Sequence, residues 1–161
     1  MGKHIRSFSP GFTLVEVITV VALLGIVLAV AVPSINSTLN EMKLDSAAQE
    51  VVSAIHYVQS LAIKEGVVYG VEFFPSEDRF RCYNVATDVT VFNPIDKKSY
   101  VVDFTGEGHL QGVTLSTTFS NMKAEFDSIG EANESGTVLL EYAGLQKTIT
   151  VSAPIGRVTI Q

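Results

Sequence analysis

Phe12 to Val32 reads FTLVEVITVVALLGIVLAVAV, and Thr13, Glu16 and Thr19 are its only polar side chains. At about 1.5 Å per residue such a run makes a helix of roughly 30 Å, enough to cross the hydrocarbon core of a bilayer. Most of the apolar excess of the 161-residue chain sits here, and the part after Gly66 has the mixed composition of a water-soluble domain. That length suits one domain with an appendage. Net charge is −6; from Phe12 onward nine Lys/Arg face seventeen Asp/Glu, so that part carries −8. An acidic surface repels phosphate backbones unless a local basic patch overrides it. Cys82 is the only cysteine, which excludes an intrachain disulfide and leaves the redox compartment open.

Three readings compete for residues 1–33. The first is a secretory signal with basic Lys3 and Arg6, an apolar stretch, and Ala29-Val30-Ala31 as a small-x-small cleavage site. The second is an uncut signal anchor. The third is a leader cut before the apolar helix rather than after it. Glu16 bears on the choice, because a carboxylate inside a membrane segment costs on the order of 2–3 kcal/mol or more and is usually functional. It lies one turn into the run, at i, i+4 from Phe12. A cut between Gly11 and Phe12 would give Phe12 a free α-amino group, able to neutralise Glu16 between neighbouring helices. The helix N-terminus also favours a carboxylate there. The bland alternative is a Glu16 that snorkels to the headgroups.

Gly11-Phe12-Thr13-Leu14-Val15-Glu16, behind a short basic leader and ahead of an unbroken apolar helix, closely resembles the type IV prepilin signature. The resemblance implies cleavage by a prepilin peptidase after Gly11 and N-methylation of Phe12. It also implies that Glu16 pairs with the terminal amine of an adjacent subunit during assembly. Lys3 and Arg6 before the span keep the leader cytoplasmic and send the C-terminal part outward, by the positive-inside rule.

The helical pattern continues past the apolar run. Leu44, Ala48, Val51, Ile55, Val58 and Ala62 form one apolar stripe, widened by Ala47, Ala54 and Leu61, and Gly66 ends it as a C-cap. One helix from Phe12 to about Glu65 is predicted. Gly25 and Pro33 interrupt it. Such residues are common in membrane helices without consequence. Alternatively, resemblance to assembled type IV pilins implies that Gly25–Pro33 loses helicity when the subunit leaves lipid.

After Gly66 the period shortens to strands. Val67–Phe74 and Arg79–Val85 flank Pro75-Ser76-Glu77-Asp78 as a hairpin, followed by Tyr100–Phe104 and Val113–Thr118. Val138–Tyr142, Lys147–Ser152 and Arg157–Ile160 alternate as a half-buried antiparallel meander. Val85–Lys98 reads as loop. The predicted fold class is α+β, with a long N-terminal helix packed on an antiparallel β-sheet domain. The segments are a leader over 1–11, an apolar assembly helix over 12–33, its amphipathic continuation over 34–65 and a β-rich domain over 66–161.

Phe126-Asp127-Ser128-Ile129-Gly130, Thr148-Ile149-Thr150-Val151 and Gly156-Arg157-Val158 resemble the GspH/FimT branch of pilin-like proteins, more diffusely than the N-terminal motif does. That branch implies a minor pseudopilin of a type II secretion system, or a FimT-like minor pilin, some of which bind DNA. The partners implied are the prepilin peptidase and methyltransferase, other pilins or pseudopilins, and an inner-membrane assembly platform. The implied location is the inner membrane, with the C-terminal domain in the periplasm.

Catalysis finds no support: His4, His56 and His109 have no Cys, Ser or carboxylate at a recognisable catalytic spacing. Glu77-Asp78 and Asp96 lack the ligand repeat of an EF-hand, and Gly106-Glu107-Gly108 lacks the ending of a phosphate cradle. No cofactor or metal is expected. Arg157 matches an arginine position in DNA-binding FimT-like proteins, but position 159 is Thr and the exported part is acidic. Arg79, Arg81, Lys97 and Lys98 are the remaining candidates for a basic patch.

Overall fold

The structure is a computed structural model that describes residues 11–106 and 108–161, with side chains apart from those of 30–34. Lys3, Arg6, His4 and the leader over 1–10 lie outside the described residues, as does the Pro33 side chain. The chain divides into two compact units, 1–38 and 39–161.

Helix α1 runs from Leu14 to Glu65, within two residues of the predicted span. Its backbone remains helical through Gly25 and Pro33. It stops at Gly66, whose φ of +69° is the left-handed conformation that glycine adopts without a Cβ penalty. The Gly66 N–H donates to the Ala62 carbonyl at 2.9 Å and satisfies one of the orphaned carbonyls of the last turn.

In the second unit, the predicted stripe of α1 is buried. Leu44, Ala48, Val51, Ile55, Val58 and Ala62 are all at most 1% exposed, as are Ala47 and Ala54. The alanines let the sheet come close: Cys82 Sγ lies 4.0 Å from the Ala54 carbonyl oxygen. The strands form two antiparallel sheets. In the first, β1 (Tyr69–Phe74) pairs on one side with β2 (Arg79–Asn84) and on the other with β6 (Lys123–Phe126). The outer edge of β2 is covered by two short strands, β3 (Val89–Thr90) at its end and β4 (Val101–Asp103) at its start. In the second sheet the order is β5 (Thr114–Thr117), β7 (Gly136–Tyr142), β8 (Leu145–Ser152), β9 (Arg157–Ile160).

Alternation decides which side chains enter the core. Val71 and Phe73 of β1 face Cys82 and Phe80 of β2 in register, and all four are fully buried. Ala124 and Phe126 enter from β6, Val138 and Leu140 from β7, and Ile149 and Val151 from β8. With the helix stripe they make one apolar cluster, each large side chain contributing roughly 1.5–3 kcal/mol of transfer free energy. Four phenylalanines tie its centre together: Phe73 stacks on Phe119 at 6.0 Å, and Phe80 tilts against both Phe73 and Phe104.

The Arg79–Val85 hairpin strand, the Tyr100–Phe104 and Val113–Thr118 strands and the C-terminal meander all appear within two residues of their predicted bounds. Two strands lie outside the prediction. β3 and Phe92 of the Phe92–Ser99 bridge fall in the stretch read as loop, and β6 carries only two core side chains, Ala124 and Phe126, alternating with Lys123 and Glu125.

Candidate functional site

Thr13 caps α1. Its hydroxyl accepts a hydrogen bond from the Glu16 N–H at 3.2 Å, and its carbonyl accepts from the Val17 N–H. The Thr13-x-x-Glu16 spacing is that of a capping box, so the signature residues also build the helix start. The Thr19 hydroxyl donates to the Val15 carbonyl at 2.7 Å and is satisfied within the helix. Glu16 is different. It is the only charged side chain between Gly11 and Thr38, it is exposed, and its carboxylate has no hydrogen-bond or ion-pair partner among the described residues.

Around it the surface is apolar on every side of the helix. Leu14, Val15, Val17, Ile18, Val20, Val21, Leu24 and Ile26 are each about half exposed or more, and Phe12 is 82% exposed. Phe12, Glu16, Val17, Val20 and Val21 line a shallow hollow of about 250 Å³, which places the carboxylate and the phenyl ring together on one face. A helix that is apolar all round needs other helices, a core or lipid to cover it. Among the described residues no helix is long and apolar enough to cross a membrane; the run read in the sequence reaches Val32, beyond the described side chains.

The remaining predicted residues are scattered. A Cβ on Gly25 would meet nothing within 4 Å. Arg157 opens β9 in the second sheet and is exposed. Arg79 and Arg81 lie in the first sheet and face carboxylates: Arg79 pairs with Glu77, and Arg81 with Glu72 and Asp88. His56, read as beside the apolar stripe, is exposed, and so is His109. Among the described residues no group of His, Cys, Asp and Glu is placed to hold a metal ion.

A structural element that sequence reading missed is the joint made by Gln59. Its Nε2 donates to the Gly130 carbonyl at 2.8 Å and the Gly156 carbonyl at 3.2 Å, tying α1 to two loops at once. Gly156 has φ +67°, and a Cβ there would lie 2.7 Å from the Gly130 oxygen, so only glycine fits. These are the loops of the diffuse C-terminal motif, which the structure brings together on the helix.

Residues 6–32 match the family described as the prokaryotic N-terminal methylation motif. No curated protein sequence matches the chain. Among solved structures, the minor pseudopilin EpsH from the Type 2 Secretion System of Vibrio cholerae matches with a TM-score of 0.57 at 17% identity, over 74% of this chain and 96% of that one. The type IV minor pilin FimU of Pseudomonas aeruginosa matches with a TM-score of 0.56 at 16% identity, over 75% of this chain and 90% of that one. The chain therefore carries the N-terminal methylation motif and shares the α+β fold of EpsH and FimU, and in both respects it is similar to type IV pilin-like proteins.

Proposed function

We propose that this pilin-like chain is a minor pseudopilin of a type II secretion system, cut between Gly11 and Phe12 and N-methylated on Phe12. Its leader would be residues 1–11, its assembly helix 12–33 and 34–65, and its periplasmic domain 66–161. The observation that carries the reading is the Glu16 carboxylate, unpaired among the described residues, beside Phe12 in an otherwise apolar helix surface. An isolated carboxylate is costly in an apolar environment and becomes favourable once a cation reaches it. The Phe12 amine of a neighbouring copy or related subunit is such a cation, at the right depth. Docking would therefore set the axial register of helices whose apolar surfaces alone would slide.

In this reading the prepilin peptidase and methyltransferase act at the cytoplasmic face, and the subunit waits in the inner membrane as a single-pass protein. An assembly platform then extracts it into a filament of pilins or pseudopilins. Gly25 and Pro33 would let the segment between them loosen on leaving lipid, glycine by its low helix propensity and proline by its missing N–H. The chain acts as a structural subunit and has no catalytic role.

A FimT-like minor pilin of a type IV pilus is the second reading, since the FimU fold supports it as well as the EpsH fold does. Arg157, exposed and without an ion pair among the described residues, is its one candidate DNA contact. Such binding would fall steeply with salt.

The test is the intact mass of the protein purified from membranes of its native host. A loss of about 1.2 kDa with the gain of one methyl group is expected, and places the cut before Phe12. A loss of about 3 kDa would place it after Ala31 and remove the filament reading.

A further inference from the structure

From Leu39 onward nine Lys and Arg side chains face sixteen Asp and Glu. Five of the nine are engaged: Arg79, Arg81, Lys123 and Lys147 in ion pairs, and Lys43 over the Tyr142 ring at 4.1 Å. Lys64, Lys97, Lys98 and Arg157 form no ion pair among the described residues. In so acidic a surface, two unpaired lysines in one place are a specific feature. Lys64 and Lys97 line the same groove, one from the end of α1 and one from the arm of residues 85–100 that covers β2.

The groove consists of two adjoining hollows of about 370 and 360 Å³ that share Tyr57, Leu61 and Phe92 as their floor. It is preformed. The Tyr57 hydroxyl donates to the Phe92 carbonyl at 2.9 Å, and its ring tilts against Tyr100 at 5.6 Å. The arm itself is held to β2, with the Val91 N–H bonded to the Cys82 carbonyl and the Cys82 N–H to the Tyr100 carbonyl. Yet the arm turns apolar groups outward: Phe92 is 65% exposed and Ile95 90% exposed. The two ends differ in charge. At one, Glu65 is occupied by the Tyr69 hydroxyl. At the other, the Lys64 and Lys97 ammonium groups form no ion pair among the described residues.

We propose that this groove docks a segment of a partner protein in which an apolar side chain lies beside one or two carboxylates. The apolar group covers Tyr57, Leu61 and Phe92, and the carboxylates meet Lys64 and Lys97. The acidic body disfavours extended polyanions, so the two lysines select a short acidic stretch and fix its direction along the groove. The groove lies wholly within the second unit, so the proposal stands apart from the Phe12–Glu16 assembly chemistry.

The test uses the full chain in its native host, with the photoreactive amino acid p-benzoylphenylalanine in place of Phe92. Illumination should give one cross-linked partner protein. The attached peptide should carry Asp or Glu within two residues of the apolar side chain. Lys64→Glu with Lys97→Glu should lower the adduct yield about tenfold or more, and Lys64→Arg with Lys97→Arg should hold it within about twofold. Both lysines are exposed, so the thermal unfolding of these variants should match the parent. An adduct with lipid, with a second copy of this chain or with a segment lacking carboxylates would overturn the proposal. So would the absence of any adduct, or a yield indifferent to charge reversal.

Discussion

One helix carries two kinds of apolar surface. Before Thr38 the described apolar side chains of α1 point in all directions and are exposed. After Leu39 one face gathers the Leu44–Ala62 stripe, which is buried to within 1%, while Met42 and Ile63 stay exposed on other faces. The stripe has its partner in the same chain, in Val71, Phe73, Phe80 and Cys82 of the first sheet and in Val138, Leu140, Ile149 and Val151 of the second. The earlier turns find no such partner among the described residues. A one-sided pattern marks a surface that folding covers, and an all-round pattern marks a surface that another molecule or a bilayer has to cover. Small residues sharpen the contrast. Ala47, Ala48, Ala54 and Ala62 make the second half narrow enough for close packing on strands, whereas Leu, Ile and Val dominate the first.

The strongest way to break this comparison is a matched pair of truncations. Phe80→Ala removes a fully buried ring from the aromatic centre and should cost about 3–5 kcal/mol in chemical denaturation. Ile26→Ala removes a side chain that is 65% exposed and should change the same measurement by less than about 0.5 kcal/mol. Equal losses would mean that the first turns share the fold's core.

Alkaline pH offers a second test, because all five tyrosines lie after Leu39. Burial first, and then the hydrogen bond to Glu125 Oε1 at 2.7 Å, push the Tyr83 phenol well above its ordinary value. A raised phenol pKa contributes stability that is fully present below the unfolded value near 10 and lost as pH rises through the folded one. Stability of the second unit should therefore decline above about pH 10. Tyr83→Phe should flatten that decline, measured as denaturation midpoints between about pH 9 and 11. An unchanged slope would show that the fold does not hold the Tyr83 phenol above its ordinary value.

Glu16→Ala bears on the exposed half. It should leave membrane insertion and the unfolding of the second unit unchanged, while lowering incorporation into filaments about tenfold, the equivalent of about 1.4 kcal/mol. Undiminished incorporation would leave the Phe12–Glu16 pairing without support. Thr13→Ala should have the smallest effect, about 1 kcal/mol confined to the first turn. Hydrogen exchange at the Glu16 and Val17 amides would detect it, and no change would mean that the cap is made otherwise.

The elements that were legible before the structure have local causes. The stripe from Leu44 to Ala62 repeats at helical spacing, Gly66 sits where a left-handed cap is required, and Ile149 and Val151 alternate with polar neighbours. β6 was not legible, since Lys123-Ala124-Glu125-Phe126 offers two small alternations and pairs with β1 more than fifty residues earlier. Nor was the arm over β2: Val85–Lys98 is polar and turn-rich, and β3 exists because Tyr83 and Asn84 present an open edge. The candidate site divides in the same way. Gly11, Phe12 and Glu16 fall within six consecutive residues and read as a motif, whereas the groove of Tyr57, Leu61, Lys64, Phe92 and Lys97 joins segments about thirty residues apart.

What the sequence by itself determined is the apolar run with its single carboxylate, the helix that extends from it and the antiparallel character of the rest. All of these follow from spacing and chemistry within a few residues. Only the tertiary structure decided that the strands split into two sheets, that Gln59 joins the Gly130 and Gly156 loops, and that Lys64 and Lys97 line one groove. The reason is physical. A local pattern records which side of an element avoids water, but which distant surface covers that side depends on packing shared by the whole core.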